Sequence, residues 1–294
     1  MDYEKKIKFA IIGTQTSNTE DLCDAVREAG HMAQVIDLAC VRFEYGKNSI
    51  QAFCGDRNIL DFDIVLFRAY NKRFYEAQLL ARMLDEKGKI VIERSLAGNY
   101  VRGKLQQAEK FVKNSVPHPQ IWQASSASGW REVLKNITFP IIAKPVFGRK
   151  GRGICKLDSL GEAQDFFDNN HDDYLAQVYM PIRGDYRVFV VGDKVIGAFK
   201  RRMMKGAYIS NRRGTPGEKI EPSEEMSRIA INAAKAVNCE ISGVDLLEYN
   251  GNFYVIEANV APQWEKFKLL TGIDPAPEII RYAIEKHFQK NQQT

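Results

Sequence analysis

The sequence predicts an α/β protein whose second half is α+β: a small, mostly parallel sheet with helices, followed by antiparallel strands that carry polar side chains. Three observations predict it. The first hundred residues hold short, wholly apolar runs, Ile7–Ile12, Ile64–Phe67 and Ile90–Ile92, as strands covered on both faces do. Between them lie amphipathic stretches, Glu20–Gly30 and Phe74–Lys87, the first stopped by Gly30 and the second by Gly88. Beyond residue 180 the runs come in pairs around polar turns. Tyr186–Val191 meets Lys194–Phe199 at Gly192-Asp193, and Val244–Leu247 meets Phe253–Ile256 at Glu248–Asn252, which is hairpin spacing.

In chain order, Gly13 closes the first strand and reads as a turn glycine, because GxGxxG is absent. Val35–Ile36 adds a strand. Arg68-Ala69-Tyr70-Asn71 follows a strand's carboxyl end, where open α/β sheets bind ligands; Arg68 there either faces a substrate or is a plain surface cation. Val101–Lys113 is helical and ends at Pro117-His118-Pro119. Ser128 caps a helix at Gly129–Leu134. Phe139–Lys144 is a strand ending in lysine, and Phe147–Ile154 then interleaves Gly148, Gly151 and Gly153 with Arg149, Lys150 and Arg152. Free backbone N–H groups beside positive charge suit a phosphate, although an exposed hairpin turn would read the same. It is no Walker A loop, since the GK[ST] ending is missing. Leu160–Asn169 is a helix and Tyr174–Tyr179 a strand; Ser223–Val237 and Pro277–His287 complete the helices.

With 294 residues, 45% hydrophobic and a net charge of +5, the chain has room for two or three domains. The charge admits an anionic substrate without demanding one. No basic tail, zinc-finger spacing or aromatic-basic repeat points to nucleic acid. Scattered cysteines, no secretory h-region and no membrane-length apolar run lead to the expectation of a cytoplasmic protein with reduced thiols.

The hairpin at Ile241–Asn259 carries the acids. Glu257 and Asn259 are two apart and share a face, and the loop decides whether Asp245 joins them. A two-residue Asn250-Gly251 loop would place Asp245 on the opposite face, while a three-residue Asn250-Gly251-Asn252 loop sets it across from Glu257. The expectation is the three-residue loop. Two carboxylates and an amide suit Mg²⁺, and a solvated hairpin edge is the competing reading.

The strand lysine, the glycine-rich loop, the strand end Gln177-Val178-Tyr179 and the distal acids with asparagine together resemble the ATP-grasp superfamily. Within it they are most similar to the branch of ribosomal protein S6 glutamate ligase, with its lysine-biosynthesis and glutathione synthetase relatives. Arg183–Asp193, Ile209–Gly214, Gly243-Val244-Asp245 and Glu257-Ala258-Asn259 carry the likeness, which spans about Arg102 to Ile284. The resemblance implies an ATP-grasp fold behind an α/β domain at 1–100. A central subdomain at 101–180 would carry the glycine lid loop, and a C-terminal subdomain at 181–294 the magnesium hairpin.

The same resemblance implies an ATP-dependent carboxylate–amine ligase that works through an acyl phosphate; a phosphotransferase or a non-catalytic nucleotide-binding module is the alternative. Lys104 and Lys144 would contact the ATP phosphates and Gly148, Gly151 and Gly153 would wrap them. Gln177, Val178 and Tyr179 would line the adenine, Asp185 approach the ribose, and Ile209, Ser210 and Asn211 pass under the nucleotide. Asp245, Glu257 and Asn259 would hold magnesium, as two ions that Mn²⁺ can replace. Arg187, Arg202, Asn211 and Arg213 form the expected catalytic set. The expected partners are a small-molecule or peptide carboxylate and an amine, a protein C-terminus among the candidates, with no membrane and no nucleic acid; a homo-oligomer is compatible. Two departures stand out. Val178 occupies a position that is usually acidic in the ligase, and Val260–Phe267 is bulky where the family has small polar residues and a glycine. In that stretch Trp264 either stacks on a ligand or plugs the core.

Overall fold

A computed structural model describes residues 6–101, 103–147, 151–170, 174–182, 184–202 and 216–292. The first part runs β1 (Lys8–Ile12), α1 (Ser17–Glu28), β2 (Met32–Ile36), β3 (Val41–Tyr45), β4 (Ile50–Cys54), β5 (Arg57–Asn58), β6 (Ile64–Phe67), α2 (Phe74–Glu86) and β7 (Ile90–Ile92). The wholly apolar strands pair in parallel in the order β2-β1-β6-β7. Phe9, Ile11, Ile64 and Leu66 pack on one face; Ala10, Ile12, Val65 and Phe67 pack on the other. The sequence pattern did not show β3, β4 and β5, an antiparallel sheet of three short, half-polar strands.

The middle contains α3 (Lys104–Lys113), β8 (Ile121–Trp122), α4 (Ala127–Leu134), β9 (Ile141–Pro145), β10 (Cys155–Leu157), α5 (Leu160–Asn170) and β11 (Tyr174–Val178). Its strands form an antiparallel sheet, β10-β9-β11-β8. Trp130 of α4 stacks on Phe167 of α5 with ring centres 3.7 Å apart. The cap of α4 is Ser126, whose Oγ accepts from Gly129 N at 3.1 Å, so the helix starts earlier than a Ser128 cap would allow.

The last part runs β12 (Gly184–Val191), β13 (Lys194–Arg202), β14 (Gly217–Ile220), α6 (Glu224–Ala236), β15 (Ile241–Tyr249), β16 (Asn252–Val260), α7 (Glu265–Thr271) and α8 (Ala276–Asn291). The strands form a five-stranded sheet, β14-β13-β12-β15-β16. Met226, Ile229, Ala230 and Ala233 of α6 cover one face. On the other face, Phe189, Phe199 and Ile241 share a core with Trp264, Phe267, Ile279 and the first sheet's Phe9, Ile11 and Leu66. Buried Glu93, beyond β7, links the two sheets by accepting from Ile241 N at 3.0 Å. Burial and the neighbouring Glu240 push its carboxyl up to about 8. Among the described residues no helix is long and apolar enough to cross a membrane.

Candidate active site

Asn250 and Gly251 make a two-residue turn with φ of 50° and 76°, the left-handed pair that a type I′ hairpin requires. Tyr249 pairs with Asn252 across it, so the expected three-residue loop is incorrect. Regular pairing from this turn would set Asp245 against Ile256 and send Glu257 to the other face. Instead the register slips by one: Leu246 faces Val255, but Asp245 faces Glu257. The extra residue, Ile256, is a β-bulge. It lets the short turn coexist with the paired acids. Asn259 Nδ2 donates to Asp245 Oδ2 at 3.1 Å and to Gly243 O at 3.2 Å.

A second bulge decides which cations join them. Val190 pairs with Val195 but Phe189 with Gly197, leaving Ile196 as the extra residue. That slip sets Asp185 opposite Arg201, while the regular pairing of β12 with β15 sets Arg187 opposite Asp245. Arg202, expected in the catalytic set, instead lies exposed and donates to Glu218 at 3.2 and 2.6 Å. Arg201 takes the inner position at 3% exposure. Its Nε and Nη2 donate to Asp185 at 2.7 and 2.6 Å, and Nη2 also to Asp245 at 2.7 Å. Arg187 holds Asp245 from the other side, Nε to Oδ1 at 2.7 Å and Nη2 to Oδ2 at 3.0 Å. Burial alone would lower the Arg201 pKa, but Asp245 and Asp185 outweigh it and raise it. Gly243 leaves room for this pair, because a Cβ there would meet Arg187 Nη1 at 2.3 Å.

Across a cleft between the second and third sheets stand Lys104, at the start of α3, and Lys144 on β9, with Gln177, Ile256 and Glu257. Lys144 Nζ donates to Gln177 Oε1 at 2.6 Å. Burial, then Asp245, raises the Glu257 carboxyl; Lys104, Arg187 and Lys144 oppose the rise. Burial lowers Lys104 against the pull of Glu257. Burial and Lys104 push Lys144 down to about 8. Acid and lysines are thus each partly desolvated and shifted toward neutrality. A polyanion on the lysine side and a cation on the acid side would relieve both. A larger groove of about 480 Å³ on the other flank of α3, lined by Leu105, Val112, Ile121 and Trp122, has none of these charges.

The other expected residues are spread around this cleft or lie outside the described residues. Gly151 and Gly153 have φ of 69° and 72°, and a Cβ on Gly153 would meet Pro145 Cγ at 2.9 Å. Val178 N donates to Gln120 O at 3.0 Å, and the Lys156 ammonium lies 5.1 Å from the Tyr179 ring centre. Both Asp185 oxygens are held by Arg201. Gly148, Ile209, Ser210, Asn211 and Arg213 lie outside the described residues. Trp264 is fully buried, with Nε1 donating to Asp21 Oδ2 at 2.9 Å, so it plugs the core. Arg68 is buried too, its guanidinium 4.7 Å from the Trp264 ring centre and its Nη2 donating to Pro262 O. Arg201 went unread as a site residue because its face depends on the Ile196 bulge, for which composition gives no signal.

Residues 101–283 match the RimK-like ATP-grasp domain, a span that contains the lysines, acids and arginines of the cleft but not Arg68. The chain belongs to the RimK-like ATP-grasp family. It is similar along nearly its whole length to a probable alpha-L-glutamate ligase of Trichodesmium erythraeum, at 26% identity over 97% of this chain and 98% of the relative. A second, from Ectopseudomonas mendocina, is 30% identical over 94% and 93%. Among solved structures, the ATP-grasp ligase PsnB with minimal precursor, Mg and ADP superposes with a TM-score of 0.75 at 18% identity, covering 97% of this chain and all (100%) of that one. D-alanine–D-alanine ligase from Bacillus anthracis complexed with ATP gives 0.63 at 13% identity, covering 99% and 100%. As a RimK-like ATP-grasp protein, the chain is a carboxylate–amine ligase that forms C–N bonds.

Proposed function

We propose that this ligase uses Mg²⁺-bound ATP to join an anionic carboxylate substrate to an amine through an acyl phosphate. The observation that carries this reading is a cleft lined by Lys104, Lys144 and Glu257, with Asp245 paired across the hairpin from Glu257 and hydrogen-bonded to Asn259. Asp245, Glu257 and Asn259 are the residues to hold magnesium, which when bound supplies positive charge against the phosphate oxygens. Lys104 and Lys144 neutralise the phosphate tail and hold it in line with the acid. A carboxylate oxygen attacks the γ-phosphorus, the bond to the β–γ bridging oxygen breaks, and ADP leaves. The amine nitrogen then attacks the acyl carbon; phosphate departs and the amine proton passes to solvent. Amino acids, peptides and a protein C-terminus all supply the required groups. The peptide option is supported by PsnB, whose structures hold precursor peptides.

The test is ADP release from purified protein across a matrix of carboxylates and amines, with mass spectrometry of the products. ADP, phosphate and an amide appearing only when both organic substrates are present is the expected result. ADP with a stable phosphorylated product would mean a phosphotransferase, and nucleotide binding without turnover in any pair would mean a regulatory module.

Lys144 adds a pH signature. Its ammonium titrates at about 8 in the ligand-free fold, below the ordinary lysine value that holds in the unfolded chain. Between those values the unfolded state carries the extra proton, so this group's contribution makes the ligand-free protein more stable as pH rises. Phosphate binding needs the charged form and runs the other way. The KM for ATP is expected to climb above pH of about 8, and Lys144→Arg to flatten that climb, since arginine stays charged. A KM for ATP in the parent protein that stays flat from pH 7 to 10, the two ends being roughly the neutral and ordinary lysine ranges, would remove Lys144 from the phosphate site.

A further inference from the structure

We propose that Glu93 is a positioning residue for the ligase: with Glu240 it forms a two-way clasp between the first sheet and β15, and the clasp sets the place of Asp245 for turnover. The proposal rests on the ligase reading above, in which Asp245 stands at the reacting centre. The clasp is reciprocal. Ile241 N, the first backbone donor of β15, donates to Glu93 Oε1 at 3.0 Å, and Arg94 N donates to Glu240 Oε2 at 2.7 Å. Each acid thus takes the backbone N–H of the residue that follows the other. Cys239 closes the same junction, its thiol donating to Ile241 O at 3.1 Å and reaching Glu93 Oε2 at 3.8 Å. Glu240 is held further by Tyr282 Oη at 3.1 Å and by Lys286, one turn apart on α8, and its carbonyl accepts from Gly192 N at 2.8 Å. Glu93 is fully buried with φ of 68°. Glycine would take that left-handed position without strain, so the glutamate there points to a use for its carboxyl.

The clasp reaches Asp245 along the strand. Ile241, Gly243 and Asp245 alternate onto one face of β15, and Ile241 packs there in a core with Phe9, Ile11 and Leu66 of the first sheet. Asp245 lies four residues beyond Ile241, about 13 Å of strand. Between them Gly243 makes room for the guanidinium of Arg187, which grips Asp245. A second tie comes from Arg68, whose Nη2 donates to Pro262 O; Pro262 also lies against Gly243, its Cβ 3.0 Å from where a Cβ would stand. The first sheet therefore fixes the strand of Asp245 at its start and flanks the position where Arg187 passes.

The junction is also sensitive to protons. Burial and Glu240 push the Glu93 carboxyl up to about 8, while Arg68 and the Ile241 N–H pull it down. Burial holds Tyr70, Cys239 and Tyr282 above their ordinary values, so they stand beside it as neutral groups. Ionisation of Glu93 sets a second negative charge across the interface from Glu240, which pairs with Lys286. Because the carboxyl is raised in the fold, its contribution to stability is present in full below the ordinary carboxyl range and is lost as pH rises through about 8. The clasp is tight with the acid neutral and weakens when it ionises.

The test compares the parent protein with Glu93→Gln and Glu93→Ala. Glutamine keeps an oxygen for Ile241 N and cannot ionise; alanine leaves that N–H without its acceptor. With Mg²⁺-ATP saturating and a substrate pair that gives amide, parent kcat is expected to fall as pH rises through about 8. Glu93→Gln should keep the parent's kcat at lower pH within about twofold and lose that fall. Lys144 is common to both proteins, so its titration cancels in the comparison. Glu93→Ala should lower kcat about tenfold while folded, since a small misplacement of Asp245 is enough to slow turnover. Protection of the backbone amides of residues 241–247 against hydrogen exchange should drop above pH of about 8 in the parent and stay level in Glu93→Gln. Identical kcat–pH profiles for parent and Glu93→Gln would overturn the proposal, as would a Glu93→Ala protein that loses Tm but keeps parent kcat while folded. If Glu93→Ala does not fold, the two remaining profiles decide. Failure of the ligase reading shows separately, as absence of any amide product from the parent; hydrogen exchange then decides, and protection that follows one course in parent and Glu93→Gln removes the clasp.

Discussion

Glu257→Gln is expected to lower turnover by at least about 100-fold, on the order of 2.7 kcal/mol at 1.36 kcal/mol per decade, without unfolding the protein. The amide keeps the size of the carboxyl but gives up the charge that would hold magnesium opposite Asp245. Stability should move the other way. Burial and Asp245 hold the Glu257 carboxyl above its ordinary value, so its contribution to the metal-free fold is favourable at low pH and is lost as pH rises through the shifted value. The neutral glutamine escapes that loss, and the metal-free variant should melt at or above the parent temperature at neutral pH. The rise in Tm that Mg²⁺ and ADP give the parent should disappear. A variant retaining activity within about threefold of the parent, about 0.65 kcal/mol, or keeping the Mg²⁺-dependent rise, would sink the assignment.

Arg201→Met should destabilise the fold by about 3–5 kcal/mol, the usual result of removing one partner from a buried ion pair. Asp185 and Asp245 would be left to face each other in a nearly dry site, with Arg187 and the Asn259 amide remaining on Asp245. Urea unfolding at neutral pH measures the loss. Added Mg²⁺ should recover part of it in the variant by taking over the charge of Asp245. Arg201→Lys should fall between, keeping the charge but losing the fork that spans two carboxylates. A loss below about 1 kcal/mol would place Arg201 among ordinary surface pairs.

Much of the architecture was legible in the sequence for a physical reason. Strands such as Ile64–Phe67 are buried on both faces, so their apolar runs report the parallel sheet without needing a register. The helices of the first and last parts announced themselves by period and by stop residues such as Gly88. The acids Asp245 and Glu257 were legible as a pair, although the loop expected to align them was not the one found. Face assignments failed where one extra residue decides them. A bulge at Ile196 exchanges Arg202 for Arg201, and one at Ile256 restores a pairing that the turn alone would break. Each isoleucine simply follows a valine in its strand, and its residue type does not mark a bulge. The sheet of β3, β4 and β5 was missed because its strands are short and half-polar, and α7 because its seven residues are too few for a period to show.

The separation of turn from bulge makes the hairpin tip a candidate site for chain insertion. The slip that pairs Asp245 with Glu257 lies at Ile256, four regular strand pairs away from the Asn250–Gly251 tip. A Cβ built on Gly251 meets no atom within 4 Å. Exposed tips of this kind tolerate added residues. An epitope or a fluorophore-bearing cysteine placed between Asn250 and Gly251 would sit at the far end of the strands that carry the acids. It would give a handle for surface capture or single-molecule tracking while the carboxylates stay in register.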